Sequence, residues 1–406
     1  MESETGLVET RKNNKRNHIL STVRYHAPLS RHDVKKRTGY SMTTVLNTIG
    51  ELVDRSLLAE EECVDVRAGR RPVWLRICPQ GAYTVGVEFN ADRLACVVTD
   101  FSYHTIYTAH SPVRADADAE ALLDGIVQAV RGAMDALGTE REKVAGIGVG
   151  LPGYLDRAGG VGLEYAYLPG WKNVPVRETL AQTFGCRVFV ENNVNTMACA
   201  YRWRTYAEQA EDFLFLSLKH GLRMGLYSGN RLFTGNGNAG EIAHVRVAGS
   251  SRFCSCGRRG CLDAEVSLHA IRAKTAERMA CGRFAALAQT CGGDARRVTM
   301  AMLADAAQSG DADALDLLQE TAACLGQALG SVVGALNPRR IILAEDSGMG
   351  GTLFSGLLRD ALAENVPPVL LQDVSVQCIA APPHMGAEGA AMLAMEGEFS
   401  PVFELV

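Results

Sequence analysis

Several features that mark special classes of protein are missing from this sequence of 406 residues. It has no run of about 18 apolar residues, the length that a membrane-spanning helix requires. No apolar segment follows the basic residues near its start, so we expect a cytoplasmic location. Only 6% of its residues are aromatic, and 41 Lys and Arg residues nearly balance 46 Asp and Glu residues. These values exclude a wholly basic nucleic-acid coat and an acidic disordered tail.

What the chain does have is a large apolar content and an uneven distribution of charge. With 47% hydrophobic residues it can bury a large core, and its length predicts two or three domains. Residues 1–78 carry 14 basic and 10 acidic residues, a net charge of +4, which leaves −9 for the rest because the total is −5. Between residues 11 and 37, nine basic residues face only Asp33. Such a local excess would bind DNA phosphates with strong salt dependence.

The basic segment has the pattern of a helix-turn-helix. A first helix from residue 17 to near residue 28 is predicted by an apolar stripe of Ile19, Leu20 and Val23. Ser30 is a typical N-cap for a second helix over residues 31–37, and Gly39 would end it after Thr38. Ser41 would cap a third helix that runs to about residue 54.

In a helix-turn-helix, the N-terminal end of the recognition helix reaches base edges while nearby basic residues bind phosphates. We expect the buried face of the third helix to consist of Val45, Leu46, Ile49, Leu52 and Val53. A hairpin of residues 57–62 and 67–75 would form a basic wing that enters the minor groove. The predicted DNA-contacting residues are Arg31, Ser41, Met42, Thr43, Thr44, Asn47, Arg70 and Arg71. The alternative is a small helical domain with a solvated basic face.

From residue 83 the pattern changes to β-rich segments that alternate with helices, which indicates an α/β fold. Strands are predicted at residues 83–89, 93–101, 143–150, 213–219, 223–229, 339–345 and 374–380, and helices at residues 116–137, at 312–336 and at the C-terminal end. The repetition implies two similar lobes with a cleft between them. We therefore predict a winged helix-turn-helix domain (residues 1–78) and a body (residues 79–406) whose lobes meet near residues 195–212.

Three of the twelve cysteines are clustered as Cys254, Cys256 and Cys261, and glycines between them allow a tight turn. A closed tetrahedral zinc site needs a fourth ligand. His244 is the nearest candidate and His220 a weaker one, whereas a carboxylate suits a thiolate-rich site less well. Such a site would be structural and not hydrolytic. The alternative is a set of reduced structural cysteines, and the other nine cysteines are expected to be free thiols.

Six motifs together resemble the ROK family of repressors, open reading frames and kinases, and in particular its regulators. They are AGRRPVWL (68–75), GVGLPGYLD (148–156), LPGW (168–171), ENNVN (191–195), AGEIAH (239–244) and CSCGRRGC (254–261). The resemblance implies a body of two actin/hexokinase-like lobes, with a zinc knot of His244, Cys254, Cys256 and Cys261 shaping one wall of a sugar pocket.

The resemblance also implies sugar contacts, carried over position by position to Gly153, Asn192, Asn193, Glu241, His244 and Asp263. Asp263 stands where the family usually has Glu. Amide and carboxylate groups suit ring hydroxyls because they donate and accept paired hydrogen bonds. The alternatives are turn capping by Asn192 and Asn193, and solvated loop carboxylates at Glu241 and Asp263.

The chain departs from the kinases of the family at several parts of the ATP site. Asn193 stands in place of the catalytic Asp, and an amide cannot act as a general base. The phosphate loop Asp-x-Gly-Gly-Thr is replaced by a sequence that contains Asn90, Ala91 and Asp92. The glycine-rich loop at 219–225 is eroded, and the paired glycine after the late strand is replaced at residues 344–345. We therefore expect no catalytic activity.

Together these features predict a sugar-responsive regulator, a repressor of carbohydrate uptake or catabolism genes. It would bind operator DNA as a homodimer or homotetramer, sense a sugar or sugar derivative, and contain structural Zn²⁺. A regulatory protein partner in place of the sugar, and activation in place of repression, stay open. The first alternative is a sugar kinase that retains ATP-dependent phosphoryl transfer. The second is a zinc-dependent DNA-binding protein without a small ligand.

Overall fold

The structure is a computed structural model that describes residues 4–62, 73–114, 116–206, 212–218, 221–345 and 351–400. Its helices are α1 (Glu4–His26), α2 (Arg31–Thr38), α3 (Met42–Asp54), α4 (Ala119–Leu137), α5 (Val176–Phe184), α6 (Asn193–Tyr206), α7 (Asp263–Val266), α8 (Leu268–Ala280), α9 (Ala285–Cys291), α10 (Met300–Gln308), α11 (Ala312–Leu336), α12 (Gly351–Asn365), α13 (Pro368–Leu371) and α14 (Met385–Phe399). Its strands are β1 (Leu58–Glu62), β2 (Val73–Ile77), β3 (Tyr83–Phe89), β4 (Arg93–Asp100), β5 (Thr105–Pro112), β6 (Val144–Leu151), β7 (Tyr154–Asp156), β8 (Val161–Glu164), β9 (Lys172–Val174), β10 (Arg187–Asn192), β11 (Phe213–Ser217), β12 (Arg223–Ser228), β13 (Arg231–Phe233), β14 (Arg340–Glu345) and β15 (Ser375–Ala380).

The N-terminal head contains the predicted helix-turn-helix. Ser30 Oγ accepts a hydrogen bond from the backbone N–H of Asp33 (3.2 Å), and the Asp33 carboxylate accepts one from the N–H of Ser30 (2.9 Å). This capping box starts α2, and Gly39, with φ of +73°, ends it in the left-handed region. Ser41 caps α3. The predicted bounds of the second and third helices are confirmed within one residue.

Two expectations for the head were wrong. The first helix begins at Glu4 and not at residue 17, because the apolar stripe that marked it occupies only its second half. Leu46 is 46% exposed, whereas Val45 and Ile49 on the same helix are fully buried. Successive helical residues are about 100° apart, so Leu46 leaves the inward face that Val45 and Ile49 share.

The wing is described only in part. Strands β1 and β2 pair antiparallel, with Leu58 opposite Ile77 and Glu62 opposite Val73. This pairing confirms a hairpin, and β2 ends at Ile77, two residues later than the sequence predicted. Its turn, including Arg70 and Arg71, lies outside the described residues.

The body contains two five-stranded sheets, as the alternating pattern predicted. The first has the order β10-β6-β3-β4-β5 and the second the order β13-β12-β11-β14-β15. In each sheet parallel and antiparallel pairs are mixed. A small sheet of β7, β8 and β9 follows β6 beside the first sheet. Helix α4 packs against β3, β4 and β5 of the first sheet, and α11 and α12 pack against each other beside the second sheet.

The last helix, α14, packs against the first sheet although it follows the second sheet in sequence. Two glycines make this contact close, since a Cβ on Gly86 would meet Ala387 O at 1.9 Å and a Cβ on Gly148 would meet Ala390 O at 1.8 Å. Sequence order alone would assign this helix to the second lobe. In the described part of the chain, no helix combines the length and the apolar character that crossing a membrane requires.

Candidate functional site: a cavity beside a cysteine-histidine cluster

A cavity of about 730 Å³ lies where the ends of β3, β6, β10 and β12 approach the turns that carry the cysteine cluster. Its volume falls within the usual range for small-molecule sites. Its lining includes all six residues predicted to bind a sugar, namely Gly153, Asn192, Asn193, Glu241, His244 and Asp263. The fold thus brings together residues from four separate segments of the chain, and their contact with a sugar stays a prediction.

The corner between β10 and α6 is fixed by the fully buried carboxylate of Glu191. Its Oε1 accepts hydrogen bonds from the backbone N–H of Asn192 (2.8 Å) and from Asn195 Nδ2 (2.9 Å). Its Oε2 accepts from Arg157 Nε at 2.6 Å. A buried carboxylate with both oxygens bonded holds the strand-to-helix junction rigid, and this positions the asparagines beside the cavity.

The two asparagines at this corner have different environments. Asn192 Oδ1 accepts from the backbone N–H of Val194 (2.9 Å), and Asn192 Nδ2 donates to Gly153 O (3.3 Å). The capping role considered for Asn192 is therefore present. Asn193 Nδ2 donates to Oε1 of the buried Glu88 at 3.5 Å, a long hydrogen bond that a ligand oxygen can replace.

Asp263 is a buried carboxylate at the start of α7. Its Oδ1 accepts from the backbone N–H of Leu222 at 2.8 Å. Burial raises the pKa of Asp263, and the hydrogen bond from Leu222 only partly opposes that effect. The interpretation of Asp263 as a solvated loop carboxylate is wrong for this residue, because it is 8% exposed.

Arg223 was not predicted as a site residue, although it belongs to the eroded glycine-rich loop at residues 219–225. The backbone N–H of Met224 donates to Gly240 O at 3.1 Å, which places Arg223 against Glu241, and the two side chains form an ion pair. The side chain of Arg223 is 8% exposed, and its Nε has no hydrogen-bond partner among the described residues. Burial lowers the pKa of Arg223 to about 10, so the guanidinium is charged at neutral pH. Arg223 thus lines the cavity with a buried, charged guanidinium that is paired with Glu241.

The hairpin turn between β3 and β4 also lines the cavity, and its backbone N–H groups are hydrogen-bonded within the turn. Asn90 Oδ1 accepts from the N–H groups of Asp92 (2.9 Å) and Arg93 (3.1 Å), and the N–H of Asn90 donates to Arg93 O (3.0 Å). Phosphate-binding loops work by pointing such N–H groups at the ligand. In this turn the N–H groups of Asn90, Asp92 and Arg93 are all hydrogen-bonded within the turn itself.

The cysteine-histidine cluster is compact. The ligand atoms of His244, Cys254, Cys256 and Cys261 all lie within 4.8 Å of one another. Cys254 Sγ is 3.7 Å from His244 Nδ1, and Cys256 Sγ is 3.7 Å from Cys261 Sγ. Two sulfurs bound to tetrahedral zinc at about 2.3 Å are about 3.8 Å apart. One imidazole nitrogen and three sulfurs at these separations fit Zn²⁺.

The turns around the cluster keep this spacing. The N–H of Cys254 donates to Arg258 O (2.8 Å), and a Cβ on Gly260 would meet Ser250 O at 2.7 Å. Burial raises the pKa of the Cys256 thiol, but hydrogen bonds from Arg258 and from the neighbouring thiols outweigh it. The net effect lowers that pKa to about 7. The eleven cysteines in the described ranges are free thiols, and His220 lies outside those ranges.

The predicted DNA-contacting residues of the head differ in their exposure and in the bonds they already form. Thr43 and Asn47 are exposed near the start of α3, whereas the hydroxyls of Ser41 and Thr44 are hydrogen-bonded to each other at 2.8 Å. Arg31 forms an ion pair with Glu60 of β1. The half-buried Met42 follows Ser41 at the same end of the helix.

Leu46 is a surface residue of α3 that the sequence analysis assigned to the core. It lies on the same helix end as the exposed Asn47. An exposed apolar side chain on a recognition helix suits contact with a thymine methyl group.

Comparison with known proteins identifies the family. The profile of the ROK family matches residues 84–396, more than three quarters of the chain. The chain belongs to the ROK family. This assignment agrees with the resemblance drawn from the motifs.

Individual ROK proteins resemble either the whole chain or its body. The xylose repressor of Caldicellulosiruptor bescii is 25% identical over 348 residues, which is 85% of this chain and 86% of the repressor. The crystal structure of a ROK-family transcriptional regulator, a homologue of the Escherichia coli MLC protein, has a TM-score of 0.82 at 21% identity and covers 96% of this chain and 97% of its own. The ROK-family glucokinase of Streptomyces griseus, in complex with glucose and AMPPNP, has a TM-score of 0.65 at 26% identity and covers 78% of this chain and 100% of its own.

Proposed function

We propose that this ROK-family chain is a sugar-responsive DNA-binding transcriptional regulator that represses carbohydrate uptake or catabolism genes. One observation carries the proposal: a helix-turn-helix with capped α2 and α3 is joined to a body whose cavity is lined by all six predicted sugar-binding residues. The likeness to the xylose repressor spans most of both chains and supports the same conclusion.

In this proposal the head reads DNA through the N-terminal end of α3. Thr43, Leu46 and Asn47 offer a hydroxyl, an apolar surface and an amide to base edges. Basic residues on α1 and α2, such as Lys35 and Lys36, would bind phosphates. Two heads in a homodimer or homotetramer would bind the half-sites of an inverted repeat.

In the body, we propose sugar binding without phosphoryl transfer. Asn193 cannot remove a proton from a sugar hydroxyl, and the amides beside Asn90 are already hydrogen-bonded. Arg223 stands in the loop where the kinases of the family have glycine. Phosphoryl transfer depends on positioning and electrostatics at these loops, so their loss removes the basis of kinase activity.

We also propose that His244, Cys254, Cys256 and Cys261 hold structural Zn²⁺. The donor set and its spacing support this assignment. With all four positions supplied by the protein, the ion would fold the turns of residues 244–261 against the cavity. Coordination through His244 Nδ1 would leave the other ring nitrogen for a sugar hydroxyl.

The proposal is tested by selecting sheared genomic DNA of the source organism with the purified full-length protein near physiological salt. The retained fragments are sequenced, and the selection is repeated with D-xylose, D-glucose, N-acetyl-D-glucosamine and their phosphates. We expect a palindromic motif beside carbohydrate genes that one sugar removes. The same protein should show no sugar-dependent ATP consumption with excess Mg-ATP.

The alternatives give different results. A palindromic motif that no sugar affects would favour a DNA-binding protein without a small ligand or with a protein partner. No enriched motif together with sugar-dependent ATP consumption would establish the kinase. The second result would also contradict the structural argument at Asn90 and Arg223.

A further inference from the structure

The head is packed tightly against two helices of the body. Its hydrophobic core continues into Phe101 after β4 and into Met395 and Phe399 of α14. Asn17 Nδ2 of α1 donates to the backbone oxygens of Glu398 (3.3 Å) and Ser400 (3.1 Å). A contact of this kind fixes the orientation of the head, unlike a flexible linker.

The second body helix in this contact is α6, which reaches the head through Trp203. The Trp203 ring stacks on Tyr25 of α1, with ring centroids 5.4 Å apart and planes 7° apart. On its other side it packs against Tyr103 at 4.2 Å. Arg24 of α1 lies over the Tyr103 ring and donates to its hydroxyl at 2.9 Å. Two successive residues of α1 therefore bind to one aromatic cluster on the body.

The position of Trp203 is fixed by polar bonds from α14. Trp203 Nε1 donates to Glu396 Oε1 at 3.0 Å, and the neighbouring Arg202 Nη1 donates to the same oxygen at 3.1 Å. Arg202 is buried and also donates to Asn230 Oδ1 at 2.7 Å. The indole therefore cannot shift independently of α6 and α14.

The other end of α6 lies in the cavity. The helix begins at Asn193, which lines the cavity and donates to Glu88. Its fourteen residues span about 20 Å. A single helix therefore has one end at the predicted sugar site and the other against the head.

Helices α6 and α14 are locked together midway. A Cβ on Gly389 of α14 would meet the backbone oxygen of Thr196 at 1.6 Å, so only glycine allows this approach. At the cavity end, Gly386 of α14 lies equally close to Glu88, since a Cβ added at Gly386 would meet Glu88 Cγ at 2.6 Å. A change in the position of Asn193 or Glu88 therefore affects the packing of both α6 and α14. Close-packed helices shift as units.

From this geometry we infer that Trp203 is the positioning residue that couples the cavity to the DNA-binding head, an inference that rests on the proposed function. A ligand that replaces the Asn193–Glu88 hydrogen bond changes the position of α6, and Trp203 passes that change to Tyr25 and hence to the direction of α3. The coupling is the difference in the ligand's affinity for the two head arrangements.

The test measures coupling separately from binding. The operator fragment and the sugar are those obtained from the genomic selection, and operator Kd is measured with and without saturating sugar. For the wild type we expect the sugar to raise operator Kd at least about tenfold. For Trp203→Leu we expect sugar Kd and sugar-free operator Kd within about threefold of wild type, but a sugar effect on operator binding below about twofold.

Two further variants complete the design. Trp203→Phe keeps the stack on Tyr25 and loses the donor to Glu396, so we expect an intermediate sugar effect; it also replaces Trp203→Leu if that variant does not fold. Phe233→Leu removes an exposed ring outside the cavity and the head contact, and should behave as wild type. Hydrogen exchange of α1 around Tyr25 should change on sugar binding in the wild type and not in Trp203→Leu.

The outcomes separate the two proposals. A full sugar effect retained in both Trp203 variants overturns the coupling inference and leaves the proposed function intact. Operator binding that no sugar alters in the wild type overturns both. An effect lost only because sugar binding is lost also overturns the inference, since Trp203 would then act on the cavity itself.

Discussion

On one side of the cavity, four potential metal ligands lie within 4.8 Å of one another beside the predicted sugar contacts. On the side formed by the turn between β3 and β4, Asn90 Oδ1 accepts hydrogen bonds from the amides of Asp92 and Arg93, so these amides are not free to bind a phosphate. Both sides belong to one ROK-type body. The difference shows that one part of a cavity can hold potential ligand groups close together while another part uses its donors in bonds within its own turn.

The largest effect should come from removing a ligand of the cysteine-histidine cluster. Cys256→Ser removes one of four ligands, so bound zinc measured by elemental analysis should fall from about one per chain to nearly none. The unfolding midpoint should drop by more than about 5 °C, because metal binding and folding of these turns are linked. Cys281→Ser, at an exposed cysteine outside the cluster, is the matched control. Wild-type protein that is folded and metal-free after purification would contradict the zinc site.

A smaller effect should come from freeing the backbone amides of the turn between β3 and β4, so that they can bind a phosphate. Wild-type protein should show no change of unfolding midpoint with Mg-AMPPNP. The triple variant Asn90→Gly, Ala91→Gly, Asp92→Thr frees two backbone amides and removes a carboxylate, so it should gain weak nucleotide binding. At ten times the Kd, that binding should stabilise the fold by about 1.4 kcal/mol. The corresponding variant with Asp92→Thr alone should gain less. An equal rise of midpoint in the wild type would mean that this side still binds nucleotide.

The smallest effect concerns Asp263 and the pH dependence of stability. Burial raises the pKa of this carboxyl in the folded state, so its ionised form destabilises the fold at neutral pH. Asp263→Asn should therefore raise the unfolding midpoint at pH 7 by ~1–3 °C, while the backbone bond from Leu222 can be kept by the amide oxygen. The advantage should disappear as the pH falls through the raised pKa, because the wild-type carboxyl then becomes neutral as well. Titration of both proteins by thermal unfolding between pH 4 and pH 8 measures the difference, and a constant difference across that range would refute the assignment.

The same substitution gives a check on the sugar side. If Asp263 contacts the sugar, Asp263→Asn should weaken sugar binding while it stabilises the fold. A stabilised variant with unchanged sugar affinity would show that Asp263 only supports the backbone at Leu222.

Local chemistry explains which parts of the fold were predictable. Ser30, Gly39 and Ser41 act within four residues of themselves, so their caps and the ends of the helices are readable from sequence. The spacing of Cys254, Cys256 and Cys261 likewise places three sulfurs in one turn whatever the rest of the chain does. The prediction that Leu46 is buried was wrong, because an apolar residue beside a buried stripe can face either way until the neighbouring surface is known.

Contacts between distant segments could not be predicted in this way. Arg223 meets Glu241 because β12 pairs with the Gly240 segment. Trp203 meets Tyr25 because α6 ends where α1 packs. Neither partner is specified by spacing along the chain.

The residue pattern alone predicted the capped helices of the head, the α/β alternation of the body, the cysteine cluster, and an amide at Asn193 where the resemblance to the kinases implies Asp. Each of these depends on residues close together in the chain or on the chemistry of one side chain. Three features became visible only in the folded structure: α14 returns to the first sheet at Gly86 and Gly148, α6 joins the cavity to the head, and Asn90 closes its own turn. These features depend on close packing between segments as much as 300 residues apart, and such packing is set by the whole core and not by any local pattern.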